Sequence, residues 1–189
     1  MDDKPLAGNI VAIMVANGFE ETEMTEPQRA LLKAGATLKT ISVEQRLVNG
    51  WHGKGWGHYF PVDKQISDVL GADFNMLLLP GGERSTTKLL QNPHTTRIVG
   101  HFLDAGKPIA AMDHGVELLA IARKLKGRML TGAPAIRAKL EAAGAVWQED
   151  QTMVVDGPLL TAQGLDALPG FVEQMLKGFA ESITVKKAA

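Results

Sequence analysis

The chain has 189 residues, a formal net charge of −1 and no cysteine. Its length suits one α/β domain with a buried core, and a near-neutral charge without a basic run argues against nucleic acid as a partner. The absence of cysteine excludes disulfides, thiolate metal sites and a thiol nucleophile.

Targeting and domain signals are weak. No apolar run approaches the length of a membrane span, and residues 1–9 lack the basic and apolar regions of a signal peptide. We therefore expect a cytoplasmic protein that does not enter a membrane. Because no repeat, low-complexity segment or linker interrupts the chain, we expect a single domain over residues 1–189 with a core at about 9–183.

Apolar runs and helical periodicity alternate along the chain. Strands are predicted at 9–16, 36–43, 74–82 and 107–112, with short strands at 145–148, 152–157 and 158–164. Helices are predicted at 26–35 (with Pro27 in its first turn), 93–106, 115–125, 133–144 and 168–183. The alternation favours a doubly wound, three-layer α/β sandwich with a mainly parallel central sheet.

Ligands of such sheets bind beyond the carboxyl ends of the strands. The stretch KPIAAMDHGVELLA (107–120) is typical of a strand, a tight corner and a helix, with Asp113 at the corner. A nucleophile elbow presents its reactive residue at such a corner. Aspartate is also a preferred helix N-cap, and the motif alone favours that interpretation.

The loop GFEETEMTEP (18–27) concentrates four glutamates. Acidic residues complement a helix N-terminus, and this is the preferred interpretation for Glu21 and Glu26. For Glu20 and Glu23 a role in a binding site is an equal alternative.

Two glycines, Gly81 and Gly82, directly follow the apolar strand at 74–79. They suit an ordinary turn, or a place where a backbone N–H approaches a reacting oxygen as in an oxyanion hole. The segment 49–63 is expected to be a loop that lines a pocket or meets a partner subunit, since it is rich in glycine and aromatic residues, Trp56 among them. His52 and His58 match no standard metal-ligand spacing, so neither a metal nor a cofactor is expected.

Together these motifs resemble the ThiJ/PfpI superfamily, whose flavodoxin-like fold is similar to that of class I glutamine amidotransferases. The resemblance runs roughly over residues 10–175, and the PfpI-like branch comprises intracellular proteases, general stress proteins and deglycases. The motifs that carry it are VANGFEETEMTEP, GWGHYFPVD, LLLPGG, AGKPIAAMDHG, LKGRMLTGAPAI, AGAVW and VVDGPLLTAQG.

The resemblance implies roles for individual residues. The nucleophilic cysteine of the family would stand at Asp113, followed by His114. Glu23 matches the glutamate that hydrogen-bonds the cysteine sulfur, and Glu20 matches a second acidic residue of that loop. The oxyanion-type donors would be the backbone N–H groups of Gly82 and His114, with Gly81 beside them.

The family also forms homo-oligomers, so a homodimer is expected, with the Trp51-to-Tyr59 loop near the pocket or the interface. Related proteases draw a glutamate from a neighbouring subunit. Thr86 stands at that position here, with Glu83 nearby.

A carboxylate attacks carbonyl groups less readily than a thiolate, so thiol-type protease, amidase or deglycase turnover should be absent or very slow. One interpretation is a stress-related pseudoenzyme that binds a small ligand or a partner. A further interpretation is that the aspartate imitates an oxidised cysteine. The alternative is a hydrolase or lyase that uses Asp113, Glu23 and His114 as acid, base or nucleophile. A metal site built from these three residues is a third, weaker alternative. If Glu23 faces Asp113, one of the two carboxyl groups should hold a proton near neutral pH.

Overall fold

The computed structural model describes residues 4–188, with side chains up to residue 185. Its strands are β1 (Ile10–Met14), β2 (Phe19–Glu20), β3 (Thr37–Ser42), β4 (Leu47–His52), β5 (Gly55–Pro61), β6 (Lys64–Gln65), β7 (Met76–Leu79), β8 (Ile109–Met112), β9 (Met129–Leu130), β10 (Val146–Trp147), β11 (Met153–Asp156) and β12 (Leu159–Ala162). Its α-helices are α1 (Glu21–Lys33), α2 (Glu83–Leu90), α3 (Pro93–Asp104), α4 (Arg137–Ala142) and α5 (Leu168–Ala188). Shorter 3₁₀ helices cover Ile66–Asp68, Gly71–Asp73, Asp113–Ala122, Pro134–Ile136 and Leu165–Ala167.

Seven strands form the central sheet, in the order β11–β12–β8–β7–β1–β3–β6. Every neighbouring pair is parallel except β11 with β12. Parallel strands need crossover connections, which place helices on both faces of the sheet. The predicted doubly wound, three-layer α/β sandwich with a mainly parallel sheet is therefore confirmed. Outside it, β2, β4 and β5 form a small second sheet, and β9 pairs with β10.

Successive residues of the central strands point to opposite faces and fill two separate cores. On β1, Ala12 and Met14 belong to the core beneath α2, α3, α4 and the 3₁₀ helix Asp113–Ala122. Val11 and Ile13 belong to the core beneath α1 and α5. Because the strands are buried on both faces, they appear in the sequence as continuous apolar runs rather than as alternating ones.

The carboxyl ends of β7, β8 and β12 lie side by side and position the polar loops. Leu79 of β7 pairs with Ala111 of β8 in parallel register. Gly81 and Asp113 each follow two residues beyond this pair, so the register brings them level. The loop 163–166 leaves β12 at the same edge.

Two helices differ from their predicted form. Helix α1 begins at Glu21 instead of residue 26, so Pro27 lies inside the helix and not in its first turn. The acidic residues at its start favour that earlier beginning, because they complement the helix N-terminus. The helix predicted at 115–125 is a 3₁₀ helix over Asp113–Ala122.

Other segments also differ from their prediction, because their amino-acid composition did not indicate the helix or strand that they form. The predicted loop at 49–63 is largely a β-hairpin of β4 and β5. A Cβ at Gly50 or Gly57 would collide with the Glu21 carboxylate, so these glycines reflect close packing. Helix α2 was not predicted, because PGGERS is typical of a turn. The helix predicted at 133–144 is shortened to a 3₁₀ turn and α4. Within residues 4–188, no helix is long and apolar enough to cross a membrane.

We expect Gly115→Ala to destabilise the corner after β8. A Cβ at Gly115 would lie 2.5 Å from the carbonyl oxygen of Pro80 and 2.6 Å from that of Leu79, and backbone cannot move aside cheaply. Such overpacking costs about 1–3 kcal/mol. Gly100→Ala is the matched control, since nothing lies within 4 Å of a Cβ there and alanine favours its helix. Urea denaturation measures both, and equal stability of the two variants would contradict the packing.

Candidate active site

Asp113 lies at a strained corner between β8 and the 3₁₀ helix. Its φ is +50°, in the left-handed region that aspartate and asparagine enter more readily than most residues. The interpretation of Asp113 as a helix N-cap is wrong, because Met112 occupies the cap position and Asp113 is already the first helical residue. The positive φ is the feature that a nucleophile elbow requires.

The Asp113 carboxylate is paired with the neighbouring imidazole. His114 Nδ1 lies 2.7 Å from Asp113 Oδ2, and both side chains are about three-quarters buried. This hydrogen bond raises the pKa of His114. Burial acts to lower that pKa, and the charges of the nearby carboxylates raise it further. A carboxylate only accepts hydrogen bonds, so Nδ1 carries the proton of this contact.

Glu23 projects from the first turns of α1 toward the same corner. Its side chain is 2% exposed, and its Oε2 accepts a 2.7 Å hydrogen bond from the backbone N–H of Gly81. The pKa of Glu23 is raised to about 8, chiefly by burial and further by the charges of Asp113 and Glu20, while the Gly81 hydrogen bond partly offsets the rise. Glu23 therefore holds a proton at neutral pH.

Gly81 separates the two carboxyl groups, and its missing side chain makes room for both. A Cβ at Gly81 would lie 2.9 Å from Asp113 Oδ2 and closer still to Glu23 Oε2. Because both oxygens lie so near the same point, Asp113 Oδ2 and Glu23 Oε2 also lie close to each other. The structure thus brings Asp113, Glu23 and Gly81 together, as the resemblance implies.

A cleft of about 310 Å³, which we name the elbow cavity, opens over these residues. It is lined by Glu20, Glu23, Gly82, Asp113, Gly164, Leu165 and Asp166. The pKa of Glu20 is raised, mainly by burial and also by the charges of Asp113 and Glu21. A backbone hydrogen bond and the charge of His52 oppose this rise. The sequence analysis missed Asp166, because its loop joins the site only through the pairing of β12 with β8.

Gly82 fits its place only because it is glycine. Its φ is +102°, and a Cβ would lie 2.5 Å from the carbonyl oxygen of Gly18. It is the N-cap of α2, where backbone N–H groups lack partners inside the helix. Gly82 itself lines the elbow cavity, and the use of the backbone N–H groups of Gly82 and His114 as oxyanion donors stays a prediction.

Besides Gly81, which lies between the two carboxyl groups, three predicted pocket residues lie outside the lining of the elbow cavity. Thr86 is buried within α2, and its hydroxyl has no hydrogen-bond partner among residues 4–188. Trp56 is on β5, where it contacts Trp51 edge-to-face at 5.4 Å. His58 instead bonds to Glu21. These three placements correct the sequence-based expectation, and in each case the regular structure of α2 or of the hairpin is the reason.

Glu21 fastens the β4–β5 hairpin to α1. Its Oε2 accepts the backbone N–H of His58 at 2.9 Å, and its Oε1 lies 2.6 Å from His58 Nδ1. Burial raises the pKa of Glu21, but the hydrogen bonds and charge of His58 outweigh burial and leave the pKa lowered. Glu20, the residue before Glu21, lines the elbow cavity. Adjacent residues at the start of α1 therefore contact the hairpin and the cavity.

The arrangement supplies two carboxyl groups in different states and one imidazole. Glu23 can donate a proton, whereas Asp113 bonded to His114 acts as an acceptor. Among residues 4–188, no group of three or more histidine, aspartate or glutamate side chains is arranged to hold a metal ion.

The stability of the protein should depend on pH through Glu23 and His114. Because the folded state raises the pKa of Glu23 to about 8, stability falls as pH rises from about 5 to 8. The raised pKa of His114 acts in the same direction, since its contribution is lost as pH rises through its folded pKa. Glu23→Gln keeps an acceptor for Gly81 and cannot ionise, so it should gain about 1–3 kcal/mol on the wild type between pH 5 and pH 8.

Asp113→Asn should show a related change, because it removes the negative charge beside Glu23 and leaves His114 a neutral amide oxygen as its acceptor in place of a carboxylate. It should be less stable than the wild type at pH 5, with the difference closing or reversing by pH 8. Asp113→Ala should lie below Asp113→Asn at every pH, since alanine costs about 1–2 kcal/mol in a left-handed conformation. Thermal melting from pH 5 to 8 measures all four proteins, and parallel curves would rule out the coupled pair.

Comparison with known proteins places this chain in a family. The profile of the DJ-1/PfpI family matches residues 9–178. General stress protein 18 of Bacillus subtilis is 34% identical over 170 residues, covering 89% of this chain and 96% of that protein. Protein/nucleic acid deglycase 2 of Escherichia coli is 32% identical over 167 residues, covering 88% and 95%. The crystal structure of a ThiJ/PfpI domain protein from Brachyspira murdochii has a TM-score of 0.82 at 23% identity, covering 93% of this chain and 98% of that one. The chain therefore belongs to the DJ-1/PfpI family.

Proposed function

We propose that this chain is a stress-related member of the family that binds a small ligand in the elbow cavity and carries out no thiol chemistry. The observation that carries the proposal is the carboxylate of Asp113 at the corner where the family places its cysteine, paired with His114 at 2.7 Å. The names of the relatives, a general stress protein and a deglycase, support the stress setting.

The chemistry of the carboxylate supports the loss of thiol reactions. Attack of a carboxylate on a carbonyl is slow: an aldehyde gives only a labile adduct, and a peptide carbonyl would give an anhydride as the amine leaves. Asp113 is also engaged by His114, which withdraws electron density from the oxygen that would attack. Cysteine oxidation cannot serve as a redox signal in this chain, because it has no cysteine.

The elbow cavity retains the means to bind a small polar molecule. It offers a protonated carboxyl group at Glu23, an acceptor at Asp113 and the backbone of Gly82. Its volume of about 310 Å³ lies at the lower end of the range for small-molecule sites.

A second function is favoured by one specific observation, the raised pKa of Glu23 beside Asp113. Carboxyl groups held in opposite states are the usual acid and base of a hydrolase or lyase. In that case Asp113, with His114, would take a proton from the substrate or attack it, and Glu23 would supply a proton. The Asp113→Ala variant separates the two functions, because only the catalytic one predicts a turnover that this change abolishes.

A homodimer formed through the hairpin is part of the proposal. Trp56 and Tyr59 are 59% and 69% exposed on β5, although aromatic side chains of this size are usually covered. Arg84 lies 4.0 Å over the ring of Trp51, which in turn contacts Trp56. This rigid aromatic cluster is the kind of surface that forms the centre of protein interfaces.

Asp113→Cys should create turnover of glyoxal or methylglyoxal that the wild type lacks. The thiolate would stand where the family places its nucleophile, with Glu23, His114 and the backbone donors of Gly82 already present. The measurement is loss of aldehyde and formation of the hydroxy acid, with Asp113→Ser as a control of similar size and lower nucleophilicity. Turnover by the wild type that Asp113→Ala abolishes would refute the pseudoenzyme and support the carboxylate mechanism.

Light scattering at micromolar concentration should give the mass of a dimer. Tyr59→Glu should shift the mass toward that of a monomer, because it places a charge in the centre of the proposed interface. Leu70→Glu is the matched control, since Leu70 is 57% exposed away from the hairpin. A monomeric wild type, or an equal effect of the control, would contradict the proposed interface.

A further inference from the structure

His114 lines a second cavity, which shares no lining residue with the elbow cavity. It measures about 330 Å³ and lies between α2, the 3₁₀ helix Asp113–Ala122 and the segment that leads into α4. Its charged or titratable lining consists of Glu83, His114, Glu117 and Lys139, and its neutral lining of Thr87, Leu90, Gln91, Ala135 and Ile136. His114 is therefore bonded to the elbow cavity on one side and faces a different set of charges on the other.

The 3₁₀ form of the helix aligns Glu117 with His114. Side chains three residues apart are neighbours in an α-helix and are fully eclipsed in a 3₁₀ helix. His114 and Glu117 are three residues apart in this helix. The unexpected 3₁₀ geometry thus places the carboxylate of Glu117 on the same face as the imidazole.

Glu117 is held in place by a cation from another element. Lys139 of α4 donates a 2.6 Å hydrogen bond from Nζ to Oε1 of Glu117. The Glu117 side chain is only 10% exposed, whereas that of Lys139 is 63% exposed. The carboxylate is therefore fixed inside the cavity, and its partner reaches it from the solvent side.

The charges that face His114 are mostly negative. Its own helix contributes Asp113 and Glu117, α2 contributes Glu83, and α4 contributes the single cation Lys139. The turn Pro134–Ile136 contributes only uncharged side chains. The hydrogen bond to Asp113 is the largest cause of the raised pKa of His114, and burial opposes it. The charges of Asp113, Glu83 and Glu117 raise the same pKa further.

We infer that Glu117 and Glu83 are positioning residues that hold His114 in its charged form from the second cavity. A charged His114 donates from Nδ1 to Asp113 and keeps that carboxylate an acceptor. The proton shared by the two carboxyl groups of the elbow cavity then resides on Glu23. The inference rests on the proposed function, because it assigns the regulation of that same site to residues outside it.

The test is the titration of His114 by NMR in the ligand-free protein, through the ring carbon-bound protons. The signal of His114 is identified by its loss in His114→Asn. Glu117→Gln should lower the titration midpoint of His114 by about half a unit or more, and Glu83→Gln should lower it less. Lys139→Gln should raise it, because it removes the cation that offsets Glu117. Glu117→Asp should restore most of the wild-type value.

Opposite shifts for Glu117→Gln and Lys139→Gln distinguish this role from a structural one. Both variants break the same ion pair, so a purely structural bridge would lower the melting temperature in both and leave the His114 titration unchanged, which would overturn the inference. Glu141→Gln is the matched control, because Glu141 is on α4 but pairs with Arg137 at the surface. The titration needs no ligand and no turnover, so a failure of the Asp113→Cys experiment leaves this result intact and bears on the proposed function alone.

Discussion

The buried carboxyl group of Glu23 is the constraint on which the rest of the site depends. A carboxylate removed from water is costly unless it is paired or protonated, and this side chain is 2% exposed. Its one hydrogen bond comes from the backbone of Gly81, and its charged neighbour is another carboxylate. The protein can bury it cheaply only as the neutral acid. The protonation of Glu23 is therefore a condition of the fold as well as a property of the site.

This constraint extends to the neighbouring elements through backbone geometry. Gly81 must lack a side chain, because both carboxyl groups occupy the space of its Cβ. Gly82 must adopt a positive φ so that the chain can turn into α2 against Gly18. The parallel register of β7 and β8 then brings Asp113 level with Gly81. The ends of β7 and β8 and two glycines thus together place one carboxyl group near another.

Strong hydrophobic patterns in the sequence predicted the fold well. The apolar runs at 9–16, 74–82 and 107–112 became β1, β7 and β8, because strands buried on both faces leave an unmistakable sequence signal. Glycine-rich segments misled the analysis. The hairpin at 49–63 resembled a loop, since glycines that make room for the buried Glu21 are indistinguishable by type from glycines that form turns.

The site was predictable only where a resemblance supplied the long-range contacts. Asp113 suggested a helix cap from residue type alone, because a positive φ leaves no trace in the sequence when aspartate can occupy both conformations. Glu23 and Asp113 come from distant parts of the chain, and local sequence patterns do not show that the fold brings them together. Asp166 was missed for the same reason, since it follows a strand whose position beside β8 is set by tertiary packing.

Aspartate suits this corner better than its effect on thiol chemistry suggests. A cysteine in the left-handed region meets the steric cost that most side chains meet there, whereas aspartate tolerates it more readily. The hydrogen bond to His114 adds a favourable contact at the same position. Against these gains stands the repulsion between Asp113 and Glu23, which the proton on Glu23 removes. The replacement is thus compatible with a folded, ordered site, provided that the hydrogen bond from His114 and the proton of Glu23 are maintained together.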